Sequence, residues 1–406
     1  MKSLESVKET INNFIKSKFN YTSNEDFECT FIKMDSLSND IYQVIIIDKK
    51  TKEKIIEIAY RNFGEISELV NRPLEEGIII SLSKFGIGPK IYETDHKNYR
   101  IEEFVTNSFL IPFENLRKKN YLNKIFKVLV SYCEICPIYK FELNNGIIKL
   151  KKFNDTIDFP VETNQNIFEL CMKNMYNKGM KALLKFKENL EKIDFPNKEN
   201  TQKELNYMLN FSNNLLDIFY SVFPLNGYLT LNHNDTLRLN FLQKDDKILI
   251  IDHEYGSLNL PGFDIVNYLV ESNFDSSPEY IFVKDDIDFN KYYNIYLGFL
   301  KEFEKSKKHS YFFKSDEGKK QLNIYKSYEY FSNLIVLDII LWFVFGLIYF
   351  DFNKFVKNEG FNYFKYSYDR IVYYDLLMKF NESRNESKSI SRNSTSSEDE
   401  VIVNSN

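Results

Sequence analysis

The chain has 406 residues, with 53 Lys plus Arg against 58 Asp plus Glu, a formal charge of −5, and four cysteines. That length supplies a sizeable core, as one bilobal unit or two domains. The mild acidity excludes the basic footprint of a nucleic-acid binder, and so few cysteines exclude a disulfide-stapled secreted scaffold and fit a reducing compartment.

The first element is amphipathic. Leu4, Val7, Ile11, Phe14 and Ile15 fall on one helical face, and the charges between them separate the segment from a signal peptide. From about residue 27 to 105 the pattern is strand-like. Phe27 to Met34 alternates in part, and Tyr42–Asp48 and Lys54–Arg61 are β-rich runs joined by KKTKE, which reads as a hairpin. Leu74–Phe85 is helical until Gly86 and Gly88-Pro89 break it, and Tyr99–Val105 is one more strand.

From about residue 114 the periodicity is mostly helical: Tyr121–Cys136, Phe168–Leu190, then Gln202–Phe223 after a polar loop at Pro196–Thr201. Cys133 and Cys136 form CEIC. No second pair stands at zinc-site spacing, so they read as two buried free thiols on one helix. Asp286–Lys305, Tyr325–Phe350 and Phe361–Phe380 are further helices. The most apolar run, Leu334–Phe350, carries Asp338 and falls short of the ~20 residues that span a membrane, so it reads as a core helix without membrane insertion. From Asn381 the composition turns to Ser, Asn, Glu and Arg, which predicts a disordered tail. The organisation read here is 1–105, 106–380 and a tail at 381–406.

Two strand-like pieces interrupt the helical part and carry the chemistry. LNHNDTLRLNFL, Leu231–Leu242, holds His233, Asp235 and, five residues later, Asn240; ILIIDHEYG, Ile248–Gly256, ends an apolar run in Asp252 and Glu254. His-x-Asp-x-x-x-x-Asn is the spacing of a kinase catalytic loop. The Asp must sit beside an attacking hydroxyl and accept its proton. The Asn must reach Mg²⁺ from the same loop, and a second Asp at the end of the next strand chelates the ion bridging the phosphates. Asp252 stands in that place, and Glu254 would point to the same side of an extended chain, so Asn240, Asp252 and Glu254 form a hard-oxygen set for magnesium. A small antiparallel β-sheet lobe before a larger, mostly helical lobe makes this an α+β, bilobal, protein kinase-like fold.

These residues resemble a specific family, the choline/ethanolamine kinases. The family's I-D-x-E-Y, N, F-D-I-x-N, E signature is matched by Ile251-Asp252-His253-Glu254-Tyr255, Asn259, Phe263-Asp264-Ile265-Val266-Asn267 and Glu271. Aminoglycoside phosphotransferases share the catalytic loop and the metal Asp but usually lack this continuation. Arg61-Asn62-Phe63-Gly64 resembles the family's R-x-Y/F-G strand end, Phe85 to Tyr92 its G-x-GPKLY, and Arg100 to Val105 its RIEEFI.

The resemblance extends to about residue 380. It implies transfer of phosphate from ATP, with Mg²⁺, to the hydroxyl of choline or ethanolamine, for phospholipid synthesis in the cytoplasm. Asp235 would be the base. Arg61 would face the nucleotide phosphates and pair with Glu75; Ser38 and Asn39 would belong to the phosphate loop; Glu103 and Val105 would frame the adenine hinge. Tyr255, Glu271, Trp342 and Phe345 would surround the substrate's ammonium, a cation that suits aromatic faces and carboxylates. A homodimer is left open, and no nucleic acid is implied.

The chain departs from the family in one loop. The pattern S-G-G-L/M-T/S-N is here Met34-Asp35-Ser36-Leu37-Ser38-Asn39, without either glycine. Glycine lets backbone amides approach phosphate closely. The alternatives this raises are a kinase of another small or aminoglycoside-like alcohol, and a pseudokinase that binds without turnover.

Overall fold

The computed structural model of the chain describes residues 4–34, 39–64, 70–144, 147–153, 169–193, 197–275 and 280–396. Helix α1 (Leu4–Phe19) buries Val7, Ile11, Phe14 and Ile15 in one core with Val44, Ile46, Ile58 and Ile101 of a sheet. Burying each such side chain is worth about 1.5–3 kcal/mol. That sheet is antiparallel, β1 (Phe27–Met34), β2 (Asn39–Asp48), β3 (Lys54–Phe63), β4 (Ile91–Thr94) and β5 (Tyr99–Glu103), in the order β1-β2-β3-β5-β4. Its register sets Ile41 opposite Arg61 and Arg61 opposite Arg100. Helix α2 (Arg72–Phe85) lies between β3 and β4 in sequence. Asn71 caps it by accepting from the Leu74 N–H, and Gly86, at φ 67°, ends it in the left-handed conformation that glycine adopts without strain.

After the short strand β6 (Phe109–Leu110) come α3 (Lys119–Cys133), the hairpin β7 (Tyr139–Asn144) and β8 (Ile147–Lys152), α4 (Glu169–Lys192) and α5 (Lys198–Val222). Next are β9 (Asn226–Asn232), β10 (Phe241–Lys244), β11 (Lys247–Ile250), β12 (Ser257–Asn259) and α6 (Phe263–Glu271). The chain continues through α7 (Phe289–Glu304), α8 (Ser310–Lys314), α9 (Asp316–Tyr325), α10 (Tyr328–Tyr349), α11 (Phe352–Lys357) and α12 (Tyr363–Ser396).

The chain forms two compact units, divided elsewhere than at residue 105. One joins Met1–Gln165, Asn226–Ser272 and Lys301–Lys319; the other joins Asn166–Leu225, Asn273–Leu300 and Lys320–Asn406. The first holds the β1–β5 sheet and a second sheet in the order β12-β9-β7-β8. The β7–β8 hairpin lies between the expected helices Tyr121–Cys136 and Phe168–Leu190, in a stretch to which the sequence assigned no element. Helix α3 stops at Cys133, so Cys136 lies beyond it rather than on the same helix; both are buried free thiols. Helix α5 begins at Lys198, inside the expected polar loop.

The second unit is built on α10. This helix is long and apolar enough to cross a membrane, but 83% of its most apolar window is buried, as a core helix requires. Gly179 lets α4 approach it: a Cβ there would stand 3.3 Å from Leu347 and 3.4 Å from Val344. On another side the Phe343 ring meets Phe211 of α5 at 5.3 Å, and the Phe343 carbonyl accepts from Ser367 of α12 at 3.1 Å. The expectation of disorder from residue 381 is corrected, because α12 runs on to Ser396. Its second half follows from an anchor rather than composition. Asn381 accepts from the Tyr328 hydroxyl and donates to Ser332 Oγ, each at 2.9 Å, and the Arg384 guanidinium lies 3.9 Å from the centre of the Tyr328 ring. Residues 397–406 lie outside the described ones.

Asn381→Ala removes both hydrogen bonds and should cost about 1–3 kcal/mol in a urea titration. Amide exchange should quicken beyond residue 381, and an unchanged exchange pattern would show that α12 does not need this tether.

Candidate active site

Strand β9 delivers His233, Asn234 and Asp235, and the first turns of α6 hold them. Asp264 accepts from the His233 N–H through Oδ2 and from the Asn234 N–H through Oδ1, both at 2.8 Å. One turn on, Asn267 Oδ1 accepts from the Thr236 N–H at 2.5 Å and its hydroxyl at 2.7 Å. Asn234 sits at φ 65°, a conformation that asparagine tolerates better than most residues. Its side chain secures it there, donating to the Tyr255 carbonyl and Ser257 Oγ and accepting from Asn259. His233 Nε2 lies 2.9 Å from the Ile251 carbonyl, which only accepts, so that nitrogen carries the proton. Burial pulls His233 down to about 4, leaving it neutral. Burial pushes Asp264 up to about 7, against the pull of its two N–H bonds.

Asp235 is buried. Its Oδ2 accepts from Asn240 Nδ2 at 3.0 Å, and the same amide donates to the Asp235 carbonyl at 2.8 Å. The other carboxylate oxygen, Oδ1, is buried without a hydrogen bond. Burial first, then the charges of Asp252, Glu271 and Glu254, hold this carboxyl well above the ordinary aspartate range. Asp252 follows β11 at φ 61°. Its backbone neighbour Ile251 donates its N–H to the Asn240 carbonyl at 3.0 Å, which fixes Asn240 and Asp252 against each other. Arg61 Nη1 stands 3.3 Å from Asp252 Oδ1. Glu254 is buried and accepts from Asn39 Nδ2 at 3.5 Å.

The structure therefore gathers Asp235, Asn240, Asp252, Glu254 and Glu271 in the first unit, with Tyr255 half-buried beside Asn234. Trp342 and Phe345 belong to the second unit, where their rings meet edge to face at 5.0 Å. Ser38 lies outside the described residues. Glu103 pairs with Lys244 at 3.4 Å, and a cavity of about 390 Å³ opens beside it, lined by Phe104, Val105 and Ser108 among others.

One expected pair is corrected. Glu75 does not bond Arg61; it pairs with Arg72 at 2.5 Å and Arg100 at 3.4 Å, while Arg61 turns to Asp252 and, at 3.8 Å, Glu102. Arg100 on β5 stands between them, bonding Glu75 through Nη1 and Glu102 through Nε. Burial works against the Arg61 charge, yet Asp252 and Glu102 outweigh it and raise its pKa.

Among the described residues no three His, Cys, Asp or Glu side chains form a ready metal cage. The donor set still suits magnesium, which binds through one or two carboxylates and completes its shell with phosphate and water. The unbonded Asp235 Oδ1 and the acids around it are an arrangement whose negative charge a divalent cation would relieve.

A family model described as choline/ethanolamine kinase matches residues 32–375. The chain belongs to this family. It is 23% identical to a choline kinase of Saccharomyces cerevisiae over 55% of this chain and 43% of that protein. It is 28% identical to a protein of Arabidopsis thaliana named "Probable ethanolamine kinase", over 58% of this chain and 54% of that protein. The chain thus spans about half the length of the curated relatives it matches. The crystal structure of a Cryptosporidium parvum choline kinase superposes with a TM-score of 0.60 at 16% identity, covering 93% of this chain and 97% of that one. The fold is the family's own, the α+β, protein kinase-like fold expected from the sequence.

Asp264 and Asn267 stand in the signature quoted above, but their work in holding the loop was not read from it. Asp264→Ala leaves two buried N–H groups without an acceptor and should cost about 2–6 kcal/mol in urea denaturation. Asp264→Asn, which keeps one acceptor, should lose clearly less; equal losses would show that the carboxylate does not hold both amides.

Proposed function

We propose that this chain transfers the γ-phosphoryl group of ATP to the hydroxyl of choline or ethanolamine, giving phosphocholine or phosphoethanolamine. The observation that carries this is the state of Asp235: a buried carboxylate with one oxygen clamped by Asn240, the other unbonded, and three more acids close enough to raise its pKa.

That arrangement suits a base. Asn240 fixes the carboxylate plane, and Oδ1 is left to orient the substrate hydroxyl and accept its proton. Asp252, Glu254 and the Asn240 amide oxygen would hold magnesium, which neutralises charge on the bridging phosphate oxygens. Arg61, fixed by Asp252 and Glu102, supplies permanent positive charge toward phosphate. Asn39 supports the phosphate side through Glu254, and Glu75 holds the arginines behind it. The segment at Glu103 and Val105, with its adjoining cavity, would take adenine. Glu271 and Tyr255 would offer a charge and an aromatic face to the ammonium. Free, buried Cys133 and Cys136 suit the reducing cytoplasm.

Purified protein should consume Mg-ATP with choline or ethanolamine, and Asp235→Asn should lower kcat by at least 10²-fold, the scale of a lost general base. Absence of turnover with both alcohols, in folded protein that binds Mg-ATP, would favour another small alcohol; absence of Mg-ATP binding would favour the pseudokinase reading that the glycine-free loop raised.

The raised Asp235 pKa has a sign. The carboxyl stays protonated, and idle as a base, to higher pH than an ordinary aspartate, so kcat/KM should climb with an acidic limb above pH 3.8. Added Mg²⁺ favours the charged form and should move that limb to lower pH. A limb at the ordinary aspartate value, indifferent to Mg²⁺, would contradict Asp235 as the base.

A further inference from the structure

Behind the carboxylates runs a buried chain of charges that starts at one of them and ends at the other. Asp252 meets Arg61 at 3.3 Å, and Arg61 meets Glu102 at 3.8 Å. Glu102 binds Arg100 Nε at 2.7 Å, and Arg100 Nη1 reaches Glu75 at 3.4 Å and Glu76 at 2.6 Å. From Glu75 the chain turns back: Arg72 Nη1 lies 2.5 Å from Glu75, Arg72 Nη2 donates to Asn39 Oδ1 at 2.9 Å, and Asn39 Nδ2 donates to Glu254 at 3.5 Å. Arg61, Arg72, Arg100, Glu75, Glu76 and Glu102 are all less than a tenth exposed. The Phe63 ring is faced by both the Arg72 and Arg100 guanidinium groups, at 4.8 and 5.6 Å.

Asn39 is the link whose chemistry has no substitute. Its Oδ1 accepts twice, from Arg72 and from the Gly64 N–H at 3.3 Å. Both donors can only give, so the amide cannot flip, and its NH₂ must face Glu254. An aspartate there would keep both incoming bonds but set a second negative charge against Glu254.

We propose that Arg72 and Asn39 are positioning residues that hold Glu254 for a divalent cation, and that Glu75 is the shared anchor of the two arms that aim Glu254 and Asp252. This rests on the kinase reading of those two carboxylates. Neither Arg72 nor Asn39 needs to touch the ion. Their effect travels through Glu254, and a planar guanidinium fork binding Glu75 and Asn39 at once is something that lysine's single ammonium cannot reproduce.

The test is a double-mutant cycle on Mn²⁺ affinity, read by electron paramagnetic resonance of full-length protein saturated with a non-hydrolysable ATP analogue, with melting temperature as the check on folding. Arg72→Lys should weaken Mn²⁺ about tenfold, and Glu254→Gln by a similar or larger factor. In the Glu254→Gln background, Arg72→Lys should add less than about twofold, because the two changes break one connection. If Arg72→Lys does not fold, Asn39→Ala takes its place in the same cycle with the same expectation. Two outcomes overturn the inference alone: a folded variant that binds Mn²⁺ as wild type does, or losses that multiply across the cycle. Wild-type protein that binds no Mn²⁺ overturns the kinase reading and this inference together.

Discussion

Like charges do not gather in a low-dielectric place unless something holds them there. Burial first, and then the charges of Asp252, Glu271 and Glu254, raise the Asp235 pKa, and the surrounding structure reads as the restraint on the repulsion among these acids. From one side α6 grips the loop that carries Asp235, using Asp264 and Asn267 as acceptors for loop amides. From the other, the first sheet and α2 grip the two acids after β11 through arginines and one asparagine. The repulsion is then stored rather than relaxed.

Such restraint is not a cheap source of stability. Taking three guanidinium groups and three carboxylates out of water costs several kcal/mol per ion, and their attraction returns this only with close geometry. What the network supplies is one arrangement rather than many. An apolar core in its place would pack as well and would aim nothing. The left-handed backbones of Asn234 and Asp252 belong to the same logic: strain of order 1–3 kcal/mol persists at each only because neighbouring bonds determine it.

Much of this was legible in the residues. The spacing of Asp235, Asn240 and Asp252 is set by local geometry, a turn followed by a strand, and local geometry survives in sequence. The β1–β3 region could be read because Ile, Val, Phe and Tyr alternate there as a half-buried sheet demands. The β7–β8 hairpin was missed although Asn145-Gly146 is a strong hairpin dipeptide; its lysine-rich second strand hid the alternation. The partners of Glu75 could not be read at all. Arg61, Arg72 and Arg100 are equally good mates on paper, and only strand register assigns them. The grip of Asp264 on amides 31 and 30 residues away is a tertiary fact of the same kind. Helix beyond residue 381 was invisible because its cause is a contact with Tyr328 and Ser332, not a propensity.

The chain has a single tryptophan, Trp342, only 5% exposed, and it sits on the central helix of the second unit. Its ultraviolet emission is therefore a signal from one address in the molecule. A ring so shielded from water emits toward the blue, and the shift to the red on denaturation dates the exposure of that helix. The charge network of the first unit contains no indole and is dark by this light. A difference between fluorescence and far-ultraviolet circular dichroism during unfolding would thus separate the exposure of this helix from the loss of backbone structure as a whole, without any label being introduced.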